Sequence, residues 1–118
     1  PASALFAPHV LRAQERVMNI YSSRHYDTDR ELYDAFTRQT GVRVRLIEAN
    51  ADQLIERIRA EGANSPADVL LTVDAGRLAR AQEAGLLAPV RSAVLDGRIP
   101  AHLRDPEGHW FGFSMRAR

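Results

Sequence analysis

The sequence predicts an α/β domain built on a parallel sheet, because short apolar segments alternate with longer amphipathic ones. The three apolar segments are residues 17–21, 42–47 and 69–73. The segments between them are long enough for helices that cross over between parallel strands, and such crossovers are right-handed and cover both faces of the sheet. The length of 118 residues suits a single domain of this kind.

The first strand and the first helix are indicated by local signals. Val17–Tyr21 is a short apolar run, and the polar loop Ser22–Asp27 follows it. Thr28 and Glu31 have the spacing of a capping box, so we expect a helix to begin here, and Gly41 is a typical helix end. The helix carries residues at helical spacing, namely Leu32, Ala35, Phe36 and Gln39.

A second strand and a second helix follow with equally local signals. Val42–Ile47 alternates and then becomes continuously apolar, which is typical of a strand. Asn50 or Asp52 can cap the next helix, which Gly62 ends. The predicted buried stripe of that helix is Leu54, Ile55 and Ile58.

The third strand, 69–73, is apolar enough to predict a central place in the sheet. Asp74 can cap a third helix over residues 75–84. Prolines interrupt the sequence beyond residue 86, where we expect one short helix near Ser92–Leu95. Trp110–Met115 reads as a final strand.

Composition excludes several classes of function. The net charge of +1 and the scattered arginines lack the basic footprint of a nucleic-acid-binding protein. The absence of cysteine excludes disulfides, zinc–thiolate sites and a thiol nucleophile. No apolar run has the length of a transmembrane helix. Residues 1–15 read as an N-terminal leader, and the initial Pro1 indicates a processed chain whose signal peptide is already removed.

Polar loops at the carboxyl edge of the predicted sheet are the places where such folds bind ligands. These loops are Ser22–Asp27, Glu48–Asp52 and Thr72–Gly76. The first places Arg24, His25 and Tyr26 side by side, just ahead of a helix. Imidazole nitrogen and phenolate oxygen can both bind a metal, and a hard trivalent cation favours anionic oxygen ligands.

Two interpretations of this His–Tyr pair stay open from the residues alone. A phenol titrates near ~10 and needs the charge of a metal to ionise at neutral pH, and metal binding would then release a proton. A His–Tyr pair in a polar loop is more often only exposed or packed locally. The other histidines, His9, His102 and His109, have no metal-ligand spacing, and Asp74 reads as a helix cap.

Three separated motifs in the same order nevertheless resemble one family. The segments are Ile20–Asp29 (IYSSRHYDTD), Ala67–Leu78 (ADVLLTVDAGRL) and Trp110–Arg118 (WFGFSMRAR), with Ile99–Pro100 between the last two. Together they resemble the iron(III) substrate-binding proteins of bacterial ABC transporters. The resemblance runs from about Val17 to Arg118.

This resemblance implies a two-lobed clamshell of α/β domains, of which residues 16–118 would be the first, N-terminal lobe, ending at the hinge toward a second lobe that this chain does not include. It implies Fe(III) as the bound ion, His25 and Tyr26 as first-lobe ligands, and Arg116 near the site. There Arg116 would hold an anion such as carbonate or hydrogen-bond a ligating phenolate.

The same resemblance implies a periplasmic protein without enzymatic activity that docks on an ABC permease in the inner membrane. The remaining ligands would come from the missing C-terminal half or from a second copy of the chain, because two ligands leave most of the coordination sphere open. We expect no nucleic-acid partner.

Three other classes of function share parts of this sequence pattern. A clamshell binding protein for an oxyanion or a small organic acid is the main alternative, with Arg24 and Arg116 as anion-binding residues. An enzyme is disfavoured because the sequence has neither a G-x-G-x-x-G loop nor a G-x-S-x-G elbow. An effector-binding module of a regulator is disfavoured by the His–Tyr loop and by the lack of a DNA-binding segment.

Overall fold

The computed structural model describes residues 16–113. Strands and helices alternate through most of this range: β1 (Val17–Ser22), α1 (Thr28–Thr40), β2 (Arg43–Glu48), α2 (Ala51–Glu61), β3 (Val69–Leu71), α3 (Ala75–Glu83) and α4 (Ala93–Arg98), with single 3₁₀ turns at Gly62–Asn64 and Ala101–Leu103. The predicted leader, residues 1–15, and the last residues, 114–118, lie outside the described residues.

The sheet of the described residues is parallel and has the strand order β2-β1-β3. This confirms the predicted α/β class, but it corrects the predicted place of β3, because β1 and not β3 lies in the middle. β3 is also shorter than predicted, covering only Val69–Leu71. Burial agrees with this order, since Ile20, Tyr21 and Ser22 of β1 are buried while β3 is only half-buried.

One row of side chains crosses the sheet and carries the core. Tyr21 is in register with Ile47 of β2 and with Leu70 of β3. Leu54 and Ile58 of α2 pack against this row as predicted. The Tyr21 side chain is fully buried, at 0% exposure, and its hydroxyl donates to both carboxylate oxygens of Glu61 at 2.9 Å.

Several predicted helix ends are confirmed. Asn50 caps α2 with a full capping box, in which its side chain accepts from the Gln53 amide and the Gln53 side chain accepts from the Asn50 amide. Asp74 caps α3 as predicted. The short helix expected near Ser92–Leu95 is α4, and Ser92 caps it.

The predicted capping box at Thr28 and Glu31 is wrong. Helix α1 begins at Thr28 itself, after Asp27, and the Asp27 side chain makes no capping hydrogen bond. A turn of backbone bonds, from the Asp29 amide to the Tyr26 carbonyl and from the Arg30 amide to the Asp27 carbonyl, begins the helix instead.

The predicted final strand is not formed by the described part of residues 110–115. Phe111 makes a single antiparallel bridge with Arg104, and no strand extends from it within residues 16–113. Trp110 holds this segment by a side-chain contact, its indole Nε1 donating to Gln82 of α3 at 3.1 Å. Residues 114 and 115 lie outside the described residues.

Candidate metal centre

The loop after β1 is fixed at the carboxyl edge of the sheet by both neighbouring strands. The Ser23 amide donates to the Leu71 carbonyl of β3 at 2.9 Å, and the Ala49 amide that follows β2 donates to the Ser22 carbonyl at 3.3 Å. Strand β2 lies on one side of β1 and β3 lies on the other. The loop after β1 therefore leads toward one side of the sheet and the loop after β3 toward the opposite side, which leaves an opening between them. Ligands in open parallel sheets bind at this kind of opening.

Ser22 shapes the start of the loop. It is fully buried, and its hydroxyl accepts from the Arg24 amide at 3.0 Å and donates to the Arg24 carbonyl at 3.2 Å. This short hydrogen-bonded turn satisfies the backbone of the loop locally and leaves the next two side chains, His25 and Tyr26, on the surface.

His25 and Tyr26 line one small pocket of about 200 Å³. Its wall also includes Glu48 and Tyr33. Tyr26 is 47% exposed and also borders a larger open cleft, of about 1120 Å³, beside Thr72 and Asp74. The structure therefore brings the two sequence-predicted ligands together at one concave site, with the phenol ring at the junction of the pocket and the cleft.

The His25 ring is held by a carboxylate. Its Nδ1 lies 2.8 Å from Oε2 of Glu48, the last residue of β2. Glu48 was not singled out from the sequence, although its position carried a signal. It stands in register with Ser22, so the parallel pairing places it at the same sheet edge as the His–Tyr loop.

The Arg24 guanidinium lies over the face of Tyr26, with Cζ 4.9 Å from the ring centroid. Asp29 fixes it there by accepting from Nε at 3.0 Å and from Nη2 at 3.3 Å. This hydrogen-bonded pairing raises the pKa of Arg24, so the group remains a cation. The loop therefore holds a fixed positive charge against the ring face of Tyr26.

The other two tyrosines are less suited to ligate. Burial raises the pKa of the Tyr21 phenol, and its hydrogen bond to Glu61 raises it further. Burial also raises the pKa of Tyr33, and the nearby charge of Asp29 acts in the same direction. Tyr33 was expected in the core or on the helix surface, and the structure places it in the wall of the small pocket.

Two further residues named from the sequence have local partners, and a third lies outside the described residues. Asp74 is a helix cap as predicted, since its Oδ1 accepts from the Arg77 amide at 2.9 Å and its Oδ2 pairs with the Arg77 side chain. His109 donates through Nδ1 to the Asp105 carboxylate at 2.8 Å. Arg116, predicted to lie near the site, is outside the described residues.

The donor set in residues 16–113 is a partial one. No group of three or more histidine or acidic side chains capable of holding a metal occurs in that range. His25 and Tyr26 could supply one nitrogen and one anionic oxygen, which suits a hard cation whose other ligands come from elsewhere. Across the same residues, no helix combines the length and apolar character needed to cross a membrane.

The described residues form a parallel α/β sheet with a polar loop at its carboxyl edge. The sequence matches the family described as bacterial extracellular solute-binding proteins over residues 19–101, and the chain belongs to this family.

The most informative relatives carry names that refer to iron. The chain is 59% identical over 105 residues to iron uptake protein A1 of Synechocystis sp., covering 89% of this chain and 29% of that protein. It is 37% identical over 79 residues to the major ferric iron-binding protein of Neisseria gonorrhoeae, covering 67% of this chain and 24% of that protein.

Solved structures agree with the described fold. The Trichodesmium protein FutA, whose structure was determined in complex with iron and citrate ligands, is 66% identical with a TM-score of 0.81. The match covers 83% of this chain and 31% of that one. The chain thus spans about 30% of the length of these relatives, as the shares of 29% and 31% state.

Proposed function

We propose that this chain supplies part of the ferric-iron site of a periplasmic solute-binding protein that serves a bacterial ABC iron importer. The observation that carries the proposal is the adjacent pair His25 and Tyr26, held on a loop that two strands fix at the sheet edge. Similarity to relatives named for iron uptake and ferric iron binding supports the choice of Fe(III) as the solute.

In this proposal His25 donates its imidazole and Tyr26 its phenolate to the ion. Fe(III) favours anionic oxygen, and the charge of the ion stabilises a phenolate bound to it. A synergistic anion such as carbonate fills part of the remaining coordination sphere, with Arg116 as the residue expected to hold it. The protein acts by binding and release and catalyses no reaction.

The other ligands come from outside this pair, either from the remaining length of the protein or from a second copy. The open cleft beside β3 supports such a partner segment, because it is lined by apolar residues, among them Val69 and Leu71 of β3 and Leu86 after α3. A surface of this kind is usually covered. The partner in transport is an inner-membrane ABC permease, and no nucleic acid is involved.

The alternative solute, an oxyanion or a small organic acid, is disfavoured by the position of Arg24. Its guanidinium is committed to Asp29 and to the Tyr26 ring, so it is poorly placed to receive a free anion. Competition by inorganic phosphate in the titration below separates the two solutes.

The test is a titration with ferric citrate followed by visible absorption. A phenolate bound to Fe(III) gives a charge-transfer band, so colour reports ligation by tyrosine. The measurement is made on the chain and on a chimera that joins it to the remaining length of the Synechocystis relative. We expect weak or no colour from the chain alone, because two ligands are too few, and a band from the chimera.

Matched variants identify the tyrosine. Tyr26→Phe is expected to abolish the contribution of this chain to the band, whereas Tyr33→Phe, in the wall of the same pocket, leaves it intact. His25→Ala should weaken binding by more than the about 10–100-fold that loss of an outer-sphere partner costs. A chimera that stays colourless, or a band unaffected by Tyr26→Phe, would overturn the proposal.

A further inference from the structure

The contact between His25 and Glu48 carries more information than an ordinary surface ion pair. The Nδ1–Oε2 distance is 2.8 Å, and the two side chains are 57% and 36% exposed. Pairs this exposed contribute little to the free energy of folding. The same contact can nevertheless fix the orientation and the tautomer of the imidazole.

The backbone fixes the carboxylate relative to the imidazole. Glu48 is in register with Ser22 across the parallel β1–β2 pair. The hydrogen bond from the Ala49 amide to the Ser22 carbonyl continues that pairing one residue further, to the start of the His–Tyr loop. Glu48 is thus the last residue of β2, and His25 lies three residues beyond Ser22, its partner in β1.

A carboxylate can only accept a hydrogen bond, so the ring nitrogen that faces it must carry the proton. A neutral His25 held in this way has its hydrogen on Nδ1 and its free lone pair on Nε2. The lone pair is the part of the ring that binds a metal, and carboxylates commonly orient metal-binding histidines by this contact.

We propose that Glu48 is a positioning residue for His25: it selects the tautomer with Nδ1 protonated and holds the ring so that Nε2 faces the bound cation. The tautomer selection concerns the chain without metal. Its purpose, presentation of a ligand to iron, rests on the proposed function.

The first experiment is nitrogen NMR of the metal-free chain, at a pH where the imidazole is neutral. We expect His25 of the unaltered chain to be protonated mainly at Nδ1. Glu48→Gln keeps an acceptor oxygen and is expected to preserve this tautomer. Glu48→Ala removes the acceptor and should shift the ring toward the form protonated at Nε2. Glu56→Ala, which removes an exposed carboxylate paired with Arg59 on α2, is the matched control and leaves His25 unchanged.

The second measurement is ferric citrate affinity, in whichever form of the protein takes up iron. Glu48→Ala should weaken it by about 10–100-fold. Glu48→Gln should weaken it less, and the charge-transfer band of Tyr26 should persist in both variants. A role in stability alone would not produce this rescue by glutamine or the change of tautomer.

The two proposals fail in different ways. A ring protonated at Nε2 in the unaltered chain, or a tautomer indifferent to Glu48→Ala, would overturn the positioning role even if iron binds. If no form of the protein binds iron but the predicted tautomer change occurs, the proposed function is overturned. Glu48 would then still orient His25, but His25 would not be a ligand of Fe(III).

Discussion

Helices α1 and α2 flank the same strand β2 but are held to the sheet in different ways. α1 has 13 residues and α2 has 11, and both carry apolar residues at helical spacing. α2 buries Leu54, Ile55 and Ile58, whereas α1 has no fully buried residue, and its Leu32 is 67% exposed.

Polar contacts lie at both ends of α1. Asp29 in its first turn pairs with Arg24 of the site loop. At the other end, the Thr37 hydroxyl donates to the Val42 carbonyl at 2.8 Å, and the Gly41 amide donates to the Thr37 carbonyl. Helix α2 therefore supports the core, while the Asp29–Arg24 pair ties α1 to the loop that carries His25 and Tyr26.

Truncating an apolar side chain should reduce the free energy of unfolding most in α2 and least in α1. Leu54→Ala should lower the free energy of unfolding by about 2–5 kcal/mol, because Leu54 is only 1% exposed and its loss leaves a cavity under the sheet. Leu32→Ala on α1 should change it by less than about 0.5 kcal/mol. Urea unfolding of both variants measures the difference, and equal losses would mean that α1 packs on a surface absent from the described residues.

A smaller effect is expected at the helix starts. Asn50→Ala removes the side-chain acceptor and breaks the reciprocal capping box of α2, so it should cost about 0.5–2 kcal/mol. Asp27→Ala before α1 removes no capping hydrogen bond and should cost less. Its remaining effect is an interaction of charge with the helix dipole, which added salt screens. An unfolding series at low and high salt distinguishes the two, and a larger loss at Asp27 would contradict the assignment of the caps.

The smallest effect concerns the end of α2, where Glu61 accepts from Tyr21, Ser65 and Arg57. Burial alone would raise the pKa of Glu61, but the hydrogen bonds from Ser65, Tyr21 and Arg57 outweigh it, and the pKa is lowered from its ordinary value of 4.5. A carboxylate whose pKa is lowered by folding stabilises the protein above its ordinary pKa. That contribution is lost as the pH falls through the folded value.

Glu61→Gln is therefore expected to lower the melting temperature at neutral pH and to flatten its decline below about pH 4.5, the ordinary value of this carboxyl. Asp105→Asn is the comparison variant, because folding also lowers the pKa of Asp105. The hydrogen bond from the His109 amide is the main cause, and the His109 ring lowers this pKa further. Thermal melts from neutral to acidic pH test both. An unchanged acid decline in Glu61→Gln would show that other carboxylates control it.

Much of the fold followed from local patterns, and two of the errors share one cause. The strands, the caps Asn50 and Asp74, and the short helix near Ser92 were predicted because each depends on neighbours within a few residues. The Thr28–Glu31 capping box shows that a local pattern can also mislead. The predicted strand after Trp110 and the central place of β3 were wrong for the described residues, because apolar content alone does not say which strand pairs with which.

The residues of the candidate site also differ in whether the sequence or only the structure reveals their role. His25 and Tyr26 were predicted as ligands because the loop that carries them resembles the iron(III)-binding family, and this role stays a prediction. The sequence placed Glu48 only at the start of an edge loop. Its contact with His25, 23 residues away, forms only when β1 and β2 pair in parallel register. The cation over Tyr26 was equally hidden, because the Arg24–Asp29 pair depends on how the loop turns into α1.

The sequence alone was enough for the order of strands and helices, for the caps Asn50 and Asp74, and for the adjacent pair His25 and Tyr26, whose ligand role stays a prediction. These features depend on backbone propensity, on caps within one turn and on side-chain identity. Only the tertiary structure decided the order β2-β1-β3, the exposure of α1 and the partners of His25 and Tyr26. Those features arise from pairing between distant segments, whose energy comes from shared burial and register that no local pattern contains.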